Sequence, residues 1–295
     1  MKNKVLVLGS TGLIGHQVFN YLQSTEQYDL YDFVYRKKLR EDSIIMDARD
    51  EERFFKVIKE VSPDFIVNCI GILINAASEN PENAIFLNAY MPHRLARLAD
   101  NIDAKLIHIS TDCVFSGDKN TAYLESDCKD GAGNYAKTKG LGEVISKNHL
   151  TLRTSVVGPE LKSDGEELFH WFMNQSGTIS GYTKSIWSGV TTIELAKAVD
   201  CAIRRDITGL HHVTNNASIT KYELLNLFQK HTTKDITITA VGGKKTDKSF
   251  LDTRQLLDFQ IPSYDLMISE MVALMRKNQS LYSQYGIDQN SEKRL

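Results

Sequence analysis

The chain has 295 residues, of which 42% are hydrophobic and 24% charged, and its formal net charge is −2. A chain of this size buries a sizeable core, as one large domain or as two packed lobes. The near-neutral charge offers no basic surface for nucleic acid, and no apolar run approaches the roughly 20 residues of a membrane-spanning helix. We therefore expect a globular protein that binds no nucleic acid and does not insert into a membrane.

The first half of the chain alternates between strand and helix patterns. Continuous apolar runs, typical of strands that are buried on both faces, occur at residues 5–8, 33–35, 65–69, 106–110 and 150–153. Helical patterns separate most of them. Repeated β–α units of this kind predict an α/β fold with a Rossmann-like, doubly wound parallel sheet.

The rhythm changes in the second half. Amphipathic helices are predicted at residues 166–175, 192–204 and 221–231, and short strands at 210–214 and 236–241. No Pro/Gly/Ser-rich linker separates the halves. We predict an NAD(P)-binding Rossmann domain over residues 1–158 and a smaller C-terminal α/β substrate-binding lobe over 159–286, which can interleave with it. The polar residues 287–295 are predicted to form a flexible tail.

A glycine-rich loop follows the first predicted strand. The segment VLVLGSTGLIGHQ places Gly9, Gly12 and Gly15 between that strand and a periodic helix. Glycine suits a sharp turn whose backbone approaches a pyrophosphate, and the N–H groups that open the helix face the anion. The alternative is an ordinary strand-to-helix turn. We predict dinucleotide binding through this loop, with contacts from Gly9, Thr11, Gly12, Leu13, Ile14 and Gly15.

The residues after the second predicted strand bear on the choice of dinucleotide. An enzyme that uses NAD usually ends this strand with an acid for the ribose 2′-hydroxyl. Here the strand ends at Tyr35 and is followed by Arg36 and Lys37, whereas Asp32 lies within the strand. Cationic side chains suit a 2′-phosphate. We therefore predict NADPH, with NADH left open, and the alternative is a solvated basic loop.

Three side chains form a candidate catalytic set. Tyr135 and Lys139 lie four residues apart on one predicted helical face, and Thr111 follows the buried run at 106–110. A neighbouring ammonium lowers the pKa of a phenol, which can then give a proton to a carbonyl oxygen during reduction by hydride. A hydroxyl at a strand end can orient that carbonyl. The alternatives are a helix-surface pair and a strand-end cap.

The segments GSTGLIG, STDCVF, YAKTK and LRTSVVGP, in this order, resemble those of the extended short-chain dehydrogenase/reductases. Within that class they are most similar to the dTDP-4-dehydrorhamnose reductase branch. The resemblance implies that Thr111 orients the substrate carbonyl, that Tyr135 donates the proton, and that Lys139 tunes Tyr135 and holds the nicotinamide ribose. It also implies further cofactor contacts, from Asp47 at the adenine and from Ala48, Cys69, Ile70 and Gly71.

The same resemblance bears on the reaction. Related dehydratases carry an acid two residues after the threonine, where this chain has Cys113, so simple reduction of a ketone is favoured. The expected substrate is a nucleotide-linked 4-keto-6-deoxy sugar for surface polysaccharide precursors. The segment around Trp187 is similar to reductases of UDP-linked 4-keto-6-deoxy-2-acetamido sugars, which implies that Trp187 shapes the substrate pocket; the alternative is a buried core tryptophan. Cys113 is a further candidate to lie near the substrate. Lys245 and Arg254 are candidates to hold the diphosphate, and solvated loop charges are the alternative.

Two other functions stay open. The regulatory subunit of methionine adenosyltransferase resembles the same branch, so this chain could be a non-catalytic NADP-binding subunit; a sugar-nucleotide epimerase is the other alternative. The four scattered cysteines show no metal-ligand spacing, so we expect no metal and reduced thiols in a cytoplasmic protein. The oligomeric state stays open, a homodimer included, as do the nucleotide base and the product stereochemistry.

Overall fold

The structure is a computed structural model and describes residues 1–255 and 257–287. The strands are β1 Asn3–Leu8, β2 Tyr28–Val34, β3 Ile44–Ile45, β4 Phe65–Asn68, β5 Lys105–Ile109, β6 Leu150–Arg153, β7 Val156–Val157, β8 Thr178–Tyr182, β9 Ser185–Trp187, β10 Val190–Thr191, β11 Gly209–His212, β12 Ile219–Thr220, β13 Thr237–Val241 and β14 Thr246–Asp247. The helices are α1 Gly15–Thr25, α2 Glu51–Val61, α3 Ile74–Glu79, α4 Pro81–Ala84, α5 Met91–Asn101, α6 Gly133–Leu141, α7 Leu168–Met173, α8 Thr192–Arg204, α9 Lys221–Thr232, α10 Tyr264–Lys277 and α11 Gln279–Tyr282. A π-helical turn, Ile85–Tyr90, precedes α5.

Seven parallel strands form the central sheet, in the order β11-β6-β5-β4-β1-β2-β3. The strand order reverses between β1 and β4, because the chain moves outward to β3 on one side and to β5 and β6 on the other. In open sheets of this kind, ligands bind outside the carboxyl ends of the strands at such a reversal. The predicted fold class is therefore confirmed.

The apolar run of β1 is continuous because both faces of the strand are buried. Val5 and Val7 face one hydrophobic cluster, which includes residues of α1 and α8. Leu6 and Leu8 face a second cluster, built from residues of α2 and α5. Alternate residues of a strand point to opposite faces, so a central strand between two helical layers has no polar side.

The second half of the chain contributes to both parts of the molecule. Strand β11 pairs with β6 in the central sheet, with Gly209 opposite Leu150 and His212 opposite Arg153. The two predicted units thus share one sheet, and the boundary at residue 158 stays a prediction. The smaller sheets contain β8 with β13, β7 with β10, and β9 between β12 and β14. Apart from Ile287, the predicted tail 287–295 lies outside the described residues.

Some boundaries differ from those predicted. The helix predicted at 166–175 is shorter and forms α7, because the Glu167 carboxylate accepts a hydrogen bond from the Phe169 N–H and caps the helix there. The two-residue strand β3 was not predicted, since Ile44 and Ile45 are too few to show a period. In the described part of the chain, no helix is long and apolar enough to cross a membrane.

The end of the described chain is fixed to the start of α1. The Tyr282 hydroxyl accepts a hydrogen bond from Gln17 Nε2 at 2.7 Å and lies 3.0 Å from His16 Nε2. The other ring nitrogen of His16 is 2.8 Å from the Gly12 carbonyl oxygen, and burial lowers the pKa of His16 to about 4. A neutral imidazole therefore connects α11 to the glycine loop.

Candidate active site

The glycine loop is compact because Gly9 adopts a conformation that other residues rarely take and Gly15 has no room for a side chain. Gly9 adopts the left-handed conformation with φ +80°, and its N–H donates to the Phe33 carbonyl at 2.8 Å. Gly12 N–H donates back to the Gly9 carbonyl at 3.0 Å. A Cβ on Gly15 would lie 2.2 Å from the Gly9 carbonyl oxygen, so only glycine fits there. The turn places the start of α1 beside the carboxyl end of β1.

Backbone donors at this turn are available to an anion. Within the described residues, no hydrogen bond uses the N–H groups of Thr11, Leu13 or Ile14, while those of Gly9, Ser10 and Gly12 are bonded. These groups precede the first turn of α1, an 11-residue helix whose dipole favours negative charge at this end. The loop therefore fits the diphosphate of a dinucleotide.

The buried side chain of Asp32 stabilises the glycine loop through Ser10. Its buried carboxylate accepts hydrogen bonds from Ser10 Oγ at 2.6 Å and Ser43 Oγ at 2.7 Å, and forms an ion pair with Arg40 Nε at 3.0 Å. These contacts use both carboxylate oxygens and hold the residue inside the fold. Asp32 is thus a structural acid, which agrees with the sequence argument that it does not serve the ribose.

Basic side chains surround Tyr35, where the adenosine ribose was predicted to bind. The Arg36 guanidinium lies 4.7 Å from the centre of the Tyr35 ring, and Lys37 is exposed. Asp47, predicted to contact the adenine, forms a two-pronged ion pair with Arg49, with its closest contact at 2.6 Å. The neighbouring Ala48 is buried in the cluster beneath.

Residues after β4 form the floor beside the glycine loop. The Cys69 N–H donates to the Leu8 carbonyl at 3.1 Å, which continues the pairing of β4 with β1. A Cβ on Gly9 would lie 3.3 Å from backbone atoms of Cys69 and Ile70. One on Gly71 would lie 4.0 Å from Lys139 Nζ. The segment from Cys69 to Gly71 therefore connects the glycine loop to the candidate catalytic helix.

Thr111, Tyr135 and Lys139 converge at the carboxyl end of β5. Thr111 follows that strand, and its hydroxyl oxygen accepts a hydrogen bond from the Cys113 N–H at 3.1 Å. The Tyr135 phenol lies close enough to Thr111 and Cys113 for both residues to shift its pKa. One helical turn further along α6, Lys139 Nζ donates to the Ile109 carbonyl at 2.7 Å. The structure thus brings the three predicted catalytic residues together.

The pKa of Tyr135 moves in the direction opposite to the one predicted. Burial raises it well above its usual value, the charges of Cys113 and Asp112 raise it further, and only the neighbouring Thr111 hydroxyl lowers it. The predicted net decrease of the Tyr135 pKa is therefore wrong. Desolvation of the phenol dominates, and Lys139, whose own pKa burial lowers to about 8, is already a neutral amine at the pH where this phenol loses its proton.

Lys139 itself is strongly perturbed. Burial lowers its pKa to about 8, although the negative charges of Glu143 and Cys69 oppose the shift. The amine therefore exchanges its proton close to neutral pH. At neutral pH the site contains a neutral phenol that can donate a proton and a positive charge one helical turn away.

The four predicted substrate residues lie in different places. Cys113 is beside Tyr135, and burial raises the pKa of its thiol to about 11. Trp187 is only 6% exposed; its ring packs against Tyr264 with centroids 5.6 Å apart. Its indole N–H donates to Ser155 Oγ at 2.8 Å. Trp187 is therefore a core residue behind the site.

Lys245 and Arg254 are not brought to the catalytic set. Lys245 is exposed in the loop before β14. The Arg254 guanidinium donates to the Leu210 carbonyl at 2.6 Å, on the edge strand β11 of the central sheet. Within the described residues, no hydrogen bond or ion pair joins either side chain to Thr111, Tyr135 or Lys139.

Two other lysines lie near the site instead: Lys221, which was not considered from the sequence, and Lys248, from the basic segment that also carries Lys245 and Arg254. The Asp112 carboxyl, next to Thr111, has its pKa raised by burial. Lys248 and Lys221, together with hydrogen bonds from Ser155 and Thr111, act against that shift. Both lysines also lower the pKa of Cys113. Lys221 opens α9 and Lys248 follows β14, so the second lobe brings two positive charges to the carboxyl end of β5.

A buried ion pair between Arg153 and Glu143 stabilises the carboxyl end of β5 through Ser110. Arg153 donates from Nε and Nη2 to the two carboxylate oxygens of Glu143, each at 2.8 Å. Ser110 Oγ donates to Glu143 Oε1 at 2.8 Å, immediately before Thr111 in the chain. Arg153 Nη1 donates to His212 Nε2 at 3.0 Å. This network was not predicted, because Glu143 and Arg153 lie on different elements and follow no common period.

No cluster of potential metal ligands occurs among the residues that the structure describes. The four cysteines are free: Cys201 is buried, Cys69 and Cys113 are half-buried, and Cys128 is exposed. The polar groups of the site are hydroxyls, a phenol, ammonium groups and one buried carboxyl. These are groups for hydrogen bonding and proton transfer.

A doubly wound sheet with a glycine loop, and with threonine, tyrosine and lysine at its carboxyl edge, defines the class of extended short-chain dehydrogenase/reductases. The resemblance drawn from the sequence is confirmed by comparison with known proteins. The chain belongs to the family described as RmlD substrate binding domain, which matches residues 3–275.

Named relatives and solved structures agree with this assignment. The dTDP-4-dehydrorhamnose reductase of Escherichia coli (strain K12) is 26% identical over 236 residues, which are 74% of this chain and 75% of that protein. The methionine adenosyltransferase 2 subunit beta of Bos taurus is 27% identical over 274 residues, 86% of this chain and 81% of that protein. The crystal structure of dTDP-4-dehydrorhamnose reductase from Bacillus anthracis in complex with NADP superposes with a TM-score of 0.81 at 22% identity, covering 93% of this chain and 100% of that one. The superposition shows a common fold.

Proposed function

We propose that this protein is an NADPH-dependent reductase of a nucleotide-linked 4-keto-6-deoxy sugar, acting in the synthesis of surface polysaccharide precursors. The observation that carries the proposal is the convergence of Thr111, Tyr135 and Lys139 at the carboxyl end of β5, beside the glycine loop. The named reductase relative supports the same reaction class.

The residues divide the chemistry between them. Bound NADPH would supply a hydride to the ketone carbon. The Thr111 hydroxyl would hold the ketone oxygen, and the Tyr135 phenol would give that oxygen its proton, so that an alcohol forms and a phenolate remains. The Lys139 ammonium stabilises negative charge that develops nearby. Burial keeps the phenol protonated at neutral pH and also makes it a weaker acid, so donation of its proton depends on the nearby positive charge of Lys139.

Cys113 argues against a dehydratase. The dehydratase reaction needs an acid that protonates the departing hydroxyl group. At this position the chain has a buried thiol, whose pKa of about 11 is far above that of the carboxylic acid that related dehydratases carry. Reduction of the ketone requires nothing of Cys113 beyond its shape.

We also propose that Lys221 and Lys248 receive the diphosphate of the substrate, in place of Arg254. Their charges act together on Asp112 and Cys113, which adjoin the catalytic hydroxyl. Ammonium groups bind phosphate oxygens as point charges and need no fixed fork geometry. A cytoplasmic location is proposed as well, because nucleotide sugars and reduced thiols are both expected there.

The test is NADPH oxidation with dTDP-linked and UDP-linked 4-keto-6-deoxy sugars, with products identified by mass spectrometry. Lys248→Ala should raise KM for the sugar nucleotide by about 10-fold or more, with kcat within about twofold, because it removes a contact made in both ground and transition states. Lys245→Ala, on the other side of β14, is the matched control and should leave KM unchanged.

Three outcomes would contradict these proposals. An equal effect of the two lysine variants would remove Lys248 from the substrate site. Retention of the cofactor with inversion of a sugar carbon would indicate an epimerase. An absence of turnover, with an effect only on a partner enzyme, would favour a regulatory subunit like the Bos taurus relative.

The pH dependence of turnover provides a separate prediction. Lys139 is an ammonium below its pKa of about 8 and a neutral amine above it. We expect kcat/KM to fall as the pH rises through about 8, because the phenolate left by proton donation loses its stabilising charge. Rates measured from pH 6 to 10 would show the falling limb.

The expected decrease in kcat/KM cannot result from unfolding caused by the titration of Lys139. Between about 8 and the usual value of 10.5, the unfolded chain binds the lysine proton and the folded chain does not. The contribution of Lys139 to the free energy of unfolding therefore increases with pH in that range. A level kcat/KM up to pH 10 would show that the charge of Lys139 is not needed.

A further inference from the structure

Arg49 occupies the ribose end of the predicted cofactor groove and contacts two residues there. Its Nε is 3.0 Å from Asp47 Oδ1 and its Nη2 is 2.6 Å from Asp47 Oδ2. The same Nη2 donates to the Tyr35 hydroxyl at 2.9 Å. The Arg49 side chain is 46% exposed and is therefore only partly buried. The contact is therefore a surface arrangement that can rearrange at low cost.

The sheet places these residues beside the glycine loop. Val34 of β2 pairs with Ile45 of β3, so Tyr35 and Asp47 both follow the carboxyl ends of neighbouring strands. The Phe33 carbonyl, just before, accepts the N–H groups of Gly9 and Ser10. A dinucleotide whose diphosphate lies on the glycine loop would reach the second strand with its adenosine ribose, as doubly wound folds do generally.

Two guanidinium groups share the Tyr35 ring. Arg36 lies 4.7 Å and Arg49 5.7 Å from the ring centre. Both positive charges, with the Arg49 hydrogen bonds, lower the pKa of Asp47. One carboxylate therefore balances two guanidinium groups, and Lys37 adds a further positive charge. The excess of positive charge suits a phosphate dianion.

We propose that Arg49 determines the preference for NADPH by exchanging partners: it leaves Asp47 to bind the ribose 2′-phosphate, and the freed carboxylate accepts a hydrogen bond from the adenine amine. This inference rests on the proposed function only in that it assumes a dinucleotide on the glycine loop. The guanidinium fork that now holds two carboxylate oxygens has the same spacing for two phosphate oxygens.

The exchange affects the two cofactors in opposite ways. With NADPH, the broken ion pair is replaced by one between Arg49 and the phosphate. With NADH there is no phosphate, so the Arg49–Asp47 pair either persists and blocks the carboxylate or breaks without replacement. Arg49 thus favours NADPH and disfavours NADH through the same side chain.

The test measures binding without turnover. We expect Arg49→Ala to weaken NADPH binding by about 10–100-fold in isothermal titration, the usual value of hydrogen bonds to a charged group. NADH binding should stay level or strengthen. The affinity for adenosine 2′,5′-bisphosphate should fall in the same way as that for NADPH, whereas the affinity for AMP should not fall. These two fragments carry no nicotinamide, so the comparison isolates the 2′-phosphate. Arg49→Lys should retain part of the preference, because charge persists without the fork.

Arg53→Ala provides the matched control, since Arg53 is exposed one turn further along, on α2, and should leave both affinities unchanged. An equal loss for NADPH and NADH in Arg49→Ala would mean that Arg49 only holds the loop, and would overturn the inference. An unchanged preference for NADPH in Arg49→Ala would overturn it as well, while leaving the reductase proposal intact. If the unaltered protein binds neither dinucleotide, both fail.

Discussion

Tyr135→Phe should lower kcat by roughly 10³-fold, within the 10²–10⁴ range of general acid catalysis, while NADPH binds within about twofold of its original affinity. The substitution removes the phenolic proton and keeps the ring that fills the space. The phenol is the group that the structure places near Thr111 at the carboxyl end of β5. The measurements are steady-state NADPH oxidation and titration of the cofactor.

A control separates chemistry from folding. Tyr90→Phe removes a hydroxyl from an exposed ring and should change neither kcat nor the midpoint of thermal unfolding. If Tyr135→Phe kept more than about a tenth of the turnover, another group would have to supply the proton. The reduction mechanism proposed for this site would then be abandoned.

The sequence was sufficient for the features that repeat locally. The apolar run of β1, the glycines after it and the period of α1 lie within about 25 consecutive residues, so the pattern could be seen without knowing what packs on it. Tyr135 and Lys139 are likewise set by the helical period. These elements and the positions of the residues on them could be predicted because each depends on neighbours in the chain.

Contacts between distant segments could not be predicted in this way. Lys221 and Lys248 approach Asp112 from two different elements of the second lobe, and no spacing in the sequence indicates their convergence. From the sequence, Arg254 was a candidate to hold the diphosphate. The fold turns it to the edge strand, where Leu210 takes its guanidinium.

The pKa of Tyr135 is a second property that could not be predicted from the sequence. The spacing of Tyr135 and Lys139 suggested an attraction between phenolate and ammonium, but spacing does not report how much water surrounds each group. In the folded chain desolvation acts on both, raising the pKa of Tyr135 and lowering that of Lys139. Burial depends on the whole fold and therefore enters only with the structure.

Arg153→Met should lower the free energy of unfolding by about 3–5 kcal/mol, the usual effect of removing one partner of a buried ion pair. It leaves the Glu143 carboxylate in the interior, with hydrogen bonding from Ser110 and a single charge from Lys129 at 3.2 Å. Urea denaturation measures the loss. Lys56→Met, in an exposed pair with Glu60, is the control and should cost less than about 1 kcal/mol.

The double variant Glu143→Leu/Arg153→Met shows whether the loss of stability comes from the unpaired carboxylate or from the independent loss of each side chain. When both charges are absent, no uncompensated charge remains in the interior, so the double variant should be more stable than Arg153→Met alone. Additive losses would show that the two side chains stabilise the fold independently.

The same network affects the site through Ser110. The Ser110 hydroxyl donates a hydrogen bond to Glu143 Oε1, and the next residue, Thr111, has its hydroxyl near the Tyr135 phenol. The double variant should therefore be folded and still reduce substrate more slowly, with kcat lowered and the NADPH affinity unchanged. Full activity in the folded double variant would mean that Thr111 is positioned by β5 alone and that the ion pair serves only stability.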